Sequence, residues 1–150
     1  EAVEQLNQDL SSEMLNYHFV TFALCVLDPI HHRLTIVNAG HLPPLLVRKG
    51  GVEIMEKGGA ALGIMPGSAF SEQRIDVQGN DFLLIHSDGL TEAENERGEF
   101  FGEKRLADLL PQVVGLSSEQ IGQRLVEKVD RFVGGAKVHD DLSIVIVKRA

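Results

Sequence analysis

The chain has 150 residues, of which 43% are apolar and 24% are charged, and this composition excludes a mainly disordered protein. Its 14 basic against 22 acidic side chains give a formal net charge of −8, which argues against nucleic-acid binding because phosphate contacts need lysine and arginine. We predict a single domain, residues 1–150, with no membrane contact, since no apolar run reaches the roughly 18 residues of a membrane span. The single cysteine, Cys25, excludes an internal disulfide and is typical of a reducing compartment, so we expect a cytoplasmic location.

The first half of the chain is predicted to form one helix and then a series of strands. Apolar residues at helical spacing predict a helix over residues 1–16. The apolar, β-branched run 19–27 predicts a strand that is buried on both faces. A turn at Asp28-Pro29 and a glycine turn at 49–51 predict two hairpins. The other strands of this half are predicted at 34–37, 45–47, 52–55 and 70–77.

The second half is predicted to contain the central strand and two more helices. The most apolar short run, 82–85, predicts a central strand, and the spacing of leucines predicts a helix over 106–113. Ser117 and Gln120 form a capping-box pattern that begins the next helix, and a last strand is predicted at 142–147. The total of about seven strands and three helices, mostly in consecutive hairpins, predicts an α+β fold with largely antiparallel sheets packed on helices.

Two acidic positions flank predicted strands and are the best candidates for chemistry. Asp88-Gly89 follows the central strand, where the sheet would anchor a carboxylate that reaches solvent; this suits a metal ligand or a catalytic acid, or the dipeptide is simply a turn. Asp140-Asp141 precedes the last strand and would suit Mg²⁺ or Mn²⁺, or is a solvated loop. The two positions can share a site only if the strands that they flank are neighbours.

Other polar residues give weaker signals. The acidic stretch after Gly89 is predicted to be a solvated surface loop, with tuning of a nearby metal as the alternative; its members are Glu92, Glu94, Glu96 and Glu99. His86 and His139 could line the same cleft as the aspartates, although each is more often a structural histidine. The sequence contains neither a serine nucleophile elbow nor a phosphate-binding glycine loop of the G-x-x-x-x-G-K type.

Six segments of the chain form an ordered set of motifs. They are FVT at 19–21, VNAGHLPPLL at 37–46, LGI at 62–64, DFLLIHSDGLTEA at 81–93, FG at 101–102 and DDLS at 140–143. This set resembles the bacterial serine/threonine phosphatases of the RsbU/SpoIIE type, which belong to the metal-dependent (PPM, protein phosphatase type 2C-like) superfamily. The resemblance covers nearly the whole chain, and it implies a fold of two packed antiparallel sheets flanked by helices.

The resemblance also implies a site for two Mn²⁺ or Mg²⁺ ions. Asp88 matches the aspartate of the family's T-D-G motif, with serine in place of the threonine, and Asp140 matches the first residue of its D-D/D-N motif. Both would be ligands of one of the two metals. Gly89, Asp141 and His41 would lie in the second shell or near the substrate, although His41 could equally fix its loop by hydrogen bonding.

The implied activity is hydrolysis of phosphoserine or phosphothreonine on a regulatory protein by a metal-activated water, with no catalytic side chain besides. The expected substrate is an anti-sigma-factor antagonist in bacterial stress-response signalling, and the expected further partner is an upstream sensor or receiver domain.

The family's upstream G-D-x-x-G-H-G-like metal motif is not found in the chain. We therefore expect the C-terminal two-thirds of an N-terminally truncated domain, with part of the ligand set and poor activity in isolation. A pseudophosphatase that binds a phosphoprotein without turnover is the alternative, and a purely structural β-sheet domain is a third interpretation.

Overall fold

The computed structural model describes residues 1–13, 18–136 and 141–150. Within these ranges the chain forms three α-helices, seven strands and two 3₁₀ turns, the latter at Asp88–Leu90 and Leu110–Val113. The helices are α1 (Ala2–Glu13), α2 (Gly102–Leu109) and α3 (Ser118–Val133). The strands are β1 (Phe22–Asp28), β2 (Arg33–Ala39), β3 (Leu45–Arg48), β4 (Gly51–Ile54), β5 (Glu72–Asp76), β6 (Phe82–His86) and β7 (Ile144–Lys148).

The chain divides into two compact units, and each is built from two separate stretches of sequence. The first unit comprises residues 1–43 and 56–77, and the second comprises 44–55 and 78–150. The expected α+β class with antiparallel sheets is confirmed, since all strand pairs in both units are antiparallel among the described residues.

The first unit consists of α1 and a three-stranded sheet. Its strand order is β1-β2-β5, so that β2 is central. Its core contains Val3 of α1, Ala39 of β2 and Leu62 of the glycine-rich loop, each at most 4% exposed. The helix therefore covers apolar surface of its own unit with the face that the sequence periodicity predicts.

The second unit consists of a four-stranded sheet with α2 and α3. Its strand order is β4-β3-β6-β7, and the predicted central strand β6 does lie between two neighbours. Phe82 and Leu84 of β6 are fully buried in one core with Leu106 of α2 and Ile121 and Leu125 of α3. This packing makes β6 a rigid base for the residues that follow it.

The strand predicted at 19–27 is shorter and more exposed than expected. It begins at Phe22, because Val20 instead makes an isolated bridge in which its N–H and C=O bond to Leu62. The prediction that this strand is buried on both faces is wrong: Val26 is 54% and Leu27 52% exposed. Consecutive strand residues point to opposite faces of a sheet, so both faces are left uncovered at this end of β1, which pairs only with β2.

Further elements differ in their boundaries from the sequence prediction, and the end of the first helix falls outside the described residues. The helix predicted at 106–113 begins at Gly102, and its α-helical part ends at Leu109, because Pro111 has no N–H to donate to the preceding turn. The last strand begins at Ile144 rather than at residue 142, since the Ser143 N–H bonds to a side chain instead of a strand. The first helix is described to Glu13, and the remainder of the prediction, residues 14–16, lies outside the described residues.

The capping box at the start of α3 is confirmed. The Ser117 hydroxyl accepts the Gln120 N–H at 3.2 Å, and the Gln120 side chain accepts the Ser117 N–H at 3.0 Å. Gly134 follows the helix with a φ of +63°. None of the described helices combines the length and the apolar character that crossing a bilayer demands.

Candidate functional site

The pairing of β6 with β7 brings the two acidic segments to the same end of one sheet. The strands are antiparallel, and their register ends with His86 opposite Ile144. The residues that follow β6 and those that precede β7 therefore lie side by side. This confirms the condition that the two flanking strands be neighbours.

Ser87 continues this connection beyond the last strand pair. Its N–H donates to the Ser143 C=O at 3.0 Å. Its hydroxyl donates to the Asp141 C=O at 3.0 Å and accepts the Ser143 N–H at 2.9 Å. Three hydrogen bonds thus join the residue before Asp88 to the segment 141–143.

Gly89 allows the two segments to approach more closely than any other residue would. A Cβ at this position would lie 2.5 Å from the Asp141 carbonyl oxygen and 3.0 Å from its carbon. These separations are shorter than van der Waals contact, so a side chain would force the segments apart. The main chain of Gly89 is buried, and the following Leu90 is 0% exposed.

Asp88 begins the 3₁₀ turn after β6, and its side chain is exposed. Its carbonyl oxygen accepts the N–H groups of Thr91 and Glu92 at 2.9 and 2.8 Å, so the dipeptide does form a turn. Its Oδ1 accepts the Gly89 N–H at 3.0 Å, and among the described residues nothing donates to Oδ2. The main chain is therefore fixed, while the carboxylate is held at one oxygen and open to solvent.

The carboxylate oxygens at this end of the sheet are of the chemical type that binds a hard divalent cation. Asp88 and Asp141 are both exposed carboxylates, and carboxylate oxygens are the ligands that Mg²⁺ and Mn²⁺ prefer. The close approach at Gly89 is the kind of cradle that lets ligands from two loops converge. If Asp88 and Asp140 bind one cation, their carboxylates should lie within about 5 Å of each other. Asp140 lies outside the described residues, so this separation stays a prediction. Within the described ranges, no group of three or more potential metal-binding side chains occurs.

The acidic stretch after Asp88 forms a hydrogen-bonded surface loop. The Asn95 side chain accepts the N–H groups of Arg97 and Glu99 at 2.9 and 3.0 Å and donates to the Glu99 carboxylate. Glu92, Glu96 and Glu99 are exposed, as expected of a solvated loop, whereas Glu94 is half-buried.

His41 lies in the first unit, in the loop after β2. Its N–H donates to the Asn38 side chain at 2.9 Å, and that side chain donates back to the His41 C=O at 3.1 Å. Asn38 is only 1% exposed, so this buried amide fixes the backbone of the loop. Asn38 is not among the residues that the sequence singles out. An asparagine two residues before Gly40 is nevertheless typical of a turn that a side chain stabilises. A role of the His41 side chain near the substrate stays a prediction.

His86 is buried at the end of β6, with 8% exposure. Its Nδ1 lies 2.9 Å from the Ser87 C=O, and since a carbonyl only accepts, Nδ1 carries the proton. His86 therefore makes a structural hydrogen bond, which is the more common role of a histidine. His139 lies outside the described residues.

Comparisons with known proteins agree with this architecture. The family model described as Stage II sporulation protein E (SpoIIE) matches residues 1–150. Protein IcfG of Synechocystis sp. is 30% identical over 135 residues, which cover 87% of this chain and 21% of IcfG. Phosphoserine phosphatase RsbU of Bacillus subtilis is 20% identical over 151 aligned residues, which cover 99% of this chain and 44% of RsbU.

Among solved structures, the SiaA-PP2C domain of Pseudomonas aeruginosa superposes with a TM-score of 0.79 at 20% sequence identity, and the match covers 96% of this chain and 56% of that one. This likeness shows a shared fold, that of the PP2C domain. The chain spans less than two thirds of the length of each of these three proteins.

Proposed function

The chain belongs to the Stage II sporulation protein E family, and from that membership we propose that it forms the catalytic part of a metal-dependent protein phosphatase. The reaction is hydrolysis of phosphoserine or phosphothreonine on a regulatory protein. Support comes from a sequence relative named as a phosphoserine phosphatase and from a structure of similar fold that is named as a PPM Ser-Thr phosphatase.

The observation that carries the proposal is the junction between the Asp88 turn and the segment that begins at Asp141. Two stretches that are 54 residues apart in sequence meet at one end of a buried sheet through the Ser87 hydroxyl. Both stretches present carboxylates to solvent. A rigid sheet with acidic loops at one end is the arrangement that places ligands accurately.

In this proposal some residues would bind the cation and others position the segments that carry those ligands. Asp88 and Asp140 would hold a divalent cation, and Asp141 would lie near it, while Gly89 permits the close approach of its own backbone to that of Asp141. When bound, such cations make water a stronger nucleophile at neutral pH and offset the negative charge of the phosphoryl group. The sequence contains no serine nucleophile elbow, and this supports direct attack by water rather than a covalent enzyme intermediate.

The proposed substrate is a phosphorylated anti-sigma-factor antagonist in the cytoplasm of a bacterium, with an upstream sensor or receiver domain as the regulatory partner. Removing a phosphate takes away about 1.5 to 2 negative charges, which is enough to alter the binding of a small regulatory protein. The phosphoserine activity in the name of RsbU supports the phosphoprotein part of this proposal.

Substitution of the two proposed ligands tests the function. Asp88→Asn and Asp140→Asn are nearly isosteric, so the full-length protein should still fold. Each change removes one negative ligand, and we expect Mn²⁺-dependent turnover of a phosphoserine protein to fall by about 100-fold or more. Thermal unfolding with and without Mn²⁺ should show that the metal-induced stabilisation is lost as well.

Glu94→Gln in the surface loop is the matched control, because it also removes one negative charge close in sequence. It should leave turnover and the Mn²⁺ effect within a factor of about two of the wild type. Full activity in both aspartate variants, with loss in Glu94→Gln, contradicts the assignment. Binding of the phosphoprotein by the wild type without any turnover would instead establish a pseudophosphatase.

A further inference from the structure

We propose that Ser87 is a positioning residue of the candidate site. Its hydroxyl holds the Asp88 turn against the segment at Asp141, so that the oxygen donors on both sides are in place before a cation binds. This inference rests on the proposed function, because it assumes that the two acidic segments share a cation. It assigns to Ser87 a contribution to metal affinity that the side chain makes without touching the metal.

The hydroxyl serves both segments because it is a donor and an acceptor at once. It donates to the Asp141 C=O at 3.0 Å and accepts the Ser143 N–H at 2.9 Å. A serine hydroxyl has one proton and two acceptor positions, so these bonds use its only donor. An alanine or a valine at this position could make neither bond, because its side chain has no polar atom.

The position of Ser87 explains why a side chain is needed there. The ladder between β6 and β7 ends with His86 opposite Ile144, one residue before Ser87. Beyond this point the chain enters a 3₁₀ turn that begins at Asp88. At Ser87 the backbone pairing is reduced to one bond, from the Ser87 N–H to the Ser143 C=O, and the hydroxyl adds two more bonds between the segments.

Electrostatics opposes the approach of these segments when no cation is bound. Asp88 and Asp141 are both exposed acidic residues, and like charges on neighbouring segments repel. The serine hydroxyl holds the two segments together by hydrogen bonds and adds no charge. Gly89 contributes the space, since a Cβ there would meet the Asp141 carbonyl oxygen at 2.5 Å.

Prior positioning has a measurable consequence for metal binding. If the segments are held in place, the cation does not have to order them, and its affinity is higher. Residues that orient metal ligands from outside the coordination sphere typically change metal affinity by about 10- to 100-fold when they are lost. We therefore expect the effect of Ser87 on the Mn²⁺ dissociation constant to be in this range.

A matched pair of substitutions separates the hydroxyl from the bulk of the side chain. Ser87→Thr keeps the hydroxyl, whereas Ser87→Val has nearly the same size and shape as threonine but lacks it. Both are made in the full-length protein, and Mn²⁺ affinity is measured by titration calorimetry at a temperature where circular dichroism shows each variant folded. Ser87→Ala replaces the valine variant if that variant does not fold.

We expect Ser87→Val to weaken Mn²⁺ binding by about tenfold or more, and Ser87→Thr to stay within about threefold of the wild type. Hydrogen exchange of the Ser143 N–H, measured without metal, should be faster in Ser87→Val than in Ser87→Thr. Equal Mn²⁺ affinity in the two variants overturns the proposal, even if the valine variant unfolds at a lower temperature, because Ser87 would then have a structural role only.

Asp88→Asn, measured in the same way, shows which hypothesis has failed. If it abolishes Mn²⁺ binding while the Thr and Val variants bind equally, the cation site stands and the role of Ser87 is wrong. If it binds Mn²⁺ as tightly as the wild type, the cation site itself is wrong, and the role of Ser87 is overturned with it.

Discussion

Two small residues, Ser87 and Gly89, control the geometry on either side of Asp88. Ser87 contributes a hydroxyl that joins two segments, and Gly89 contributes the absence of a side chain. The carboxylate between them is exposed, and only its Oδ1 is bonded within the described residues. The proposed cation binding would therefore depend on the carboxylate of Asp88, while the position of that residue depends on Ser87 and Gly89.

Gly89→Ala should disturb the site without changing its charge. The added Cβ would lie 2.5 Å from the Asp141 carbonyl oxygen, so one of the two segments must move. Overpacking of this kind costs about 1–3 kcal/mol of unfolding free energy. We expect a lower melting temperature together with weaker Mn²⁺ binding.

Gly122→Ala is the control for this change, since its Cβ would lie at an ordinary contact distance, 3.7 Å, from Ile146 Cδ1. In the middle of α3 it should raise the unfolding free energy by about 0.5–1 kcal/mol. Destabilisation by both alanines would mean that the close approach at Gly89 is not the cause.

The rate at which the Cys25 thiol reacts depends on pH and differs between the folded and the unfolded first unit. Burial disfavours the thiolate and raises the pKa of Cys25 above its ordinary value. At pH 8 the folded protein should therefore react more slowly with a disulfide reagent than the chain in denaturant, where the thiol has its ordinary pKa. The unfolded chain loses this proton first, so the contribution of the thiol to stability is complete below its ordinary pKa and is lost as the pH rises through the folded pKa. Equal labelling rates in the two states would contradict this prediction.

Among the secondary-structure elements, α3 depends on local signals at both ends. Ser117 and Gln120 exchange two hydrogen bonds at its start, and Gly134 follows its last turn. Its apolar face supplies Ile121, Leu125 and Val129 to the core of the second unit. These features lie within one stretch of sequence, which is why the sequence predicts this helix well.

Removal of the helix cap should have a small and specific effect. Ser117→Ala removes the acceptor for the Gln120 N–H, and losing such a cap costs about 1 kcal/mol. For a domain of this size the melting temperature should fall by roughly 2–4 °C. Ser117→Asp keeps an acceptor at the same position and should melt close to the wild type. If the alanine and aspartate variants melt together, the cap bond adds nothing to stability.

Boundaries that depend on distant contacts were predicted less well. The spacing of apolar residues predicts β6 and its central place, because a fully apolar strand needs neighbours on both sides. The same reasoning fails for β1, whose apolar residues include Val26 and Leu27 at an exposed edge. Nothing local distinguishes an edge strand from a central one. The end of α2 before Pro111, by contrast, was available from the sequence, since proline beyond the first turn of a helix interrupts it.

At the scale of the whole molecule, the candidate site likewise combines features that the sequence predicts with one that depends on distant contacts. Asp88 and the pair Asp140-Asp141 could be singled out from their places beside predicted strands. The resemblance to phosphatases implied a ligand role for Asp88 and Asp140 and a place near the metals for Asp141. The hydrogen bond from Ser87 to Asp141 could not be foreseen, because 54 residues separate its two partners. A serine before Asp-Gly has no distinctive local signal, and only the pairing of β6 with β7 shows what its hydroxyl reaches.

The long separation between the partners of Ser87 also sets an order of events during synthesis. Ribosomes add about 5–20 residues per second, so Asp141 is made roughly 3 to 11 s after Ser87. Throughout that interval β6 has no β7 beside it, and the nascent chain carries Asp88 without the segment that it later adjoins. A cation that requires both segments has nowhere to bind on the growing chain. The proposed cation site can therefore form only after the segment at Asp141 has been made.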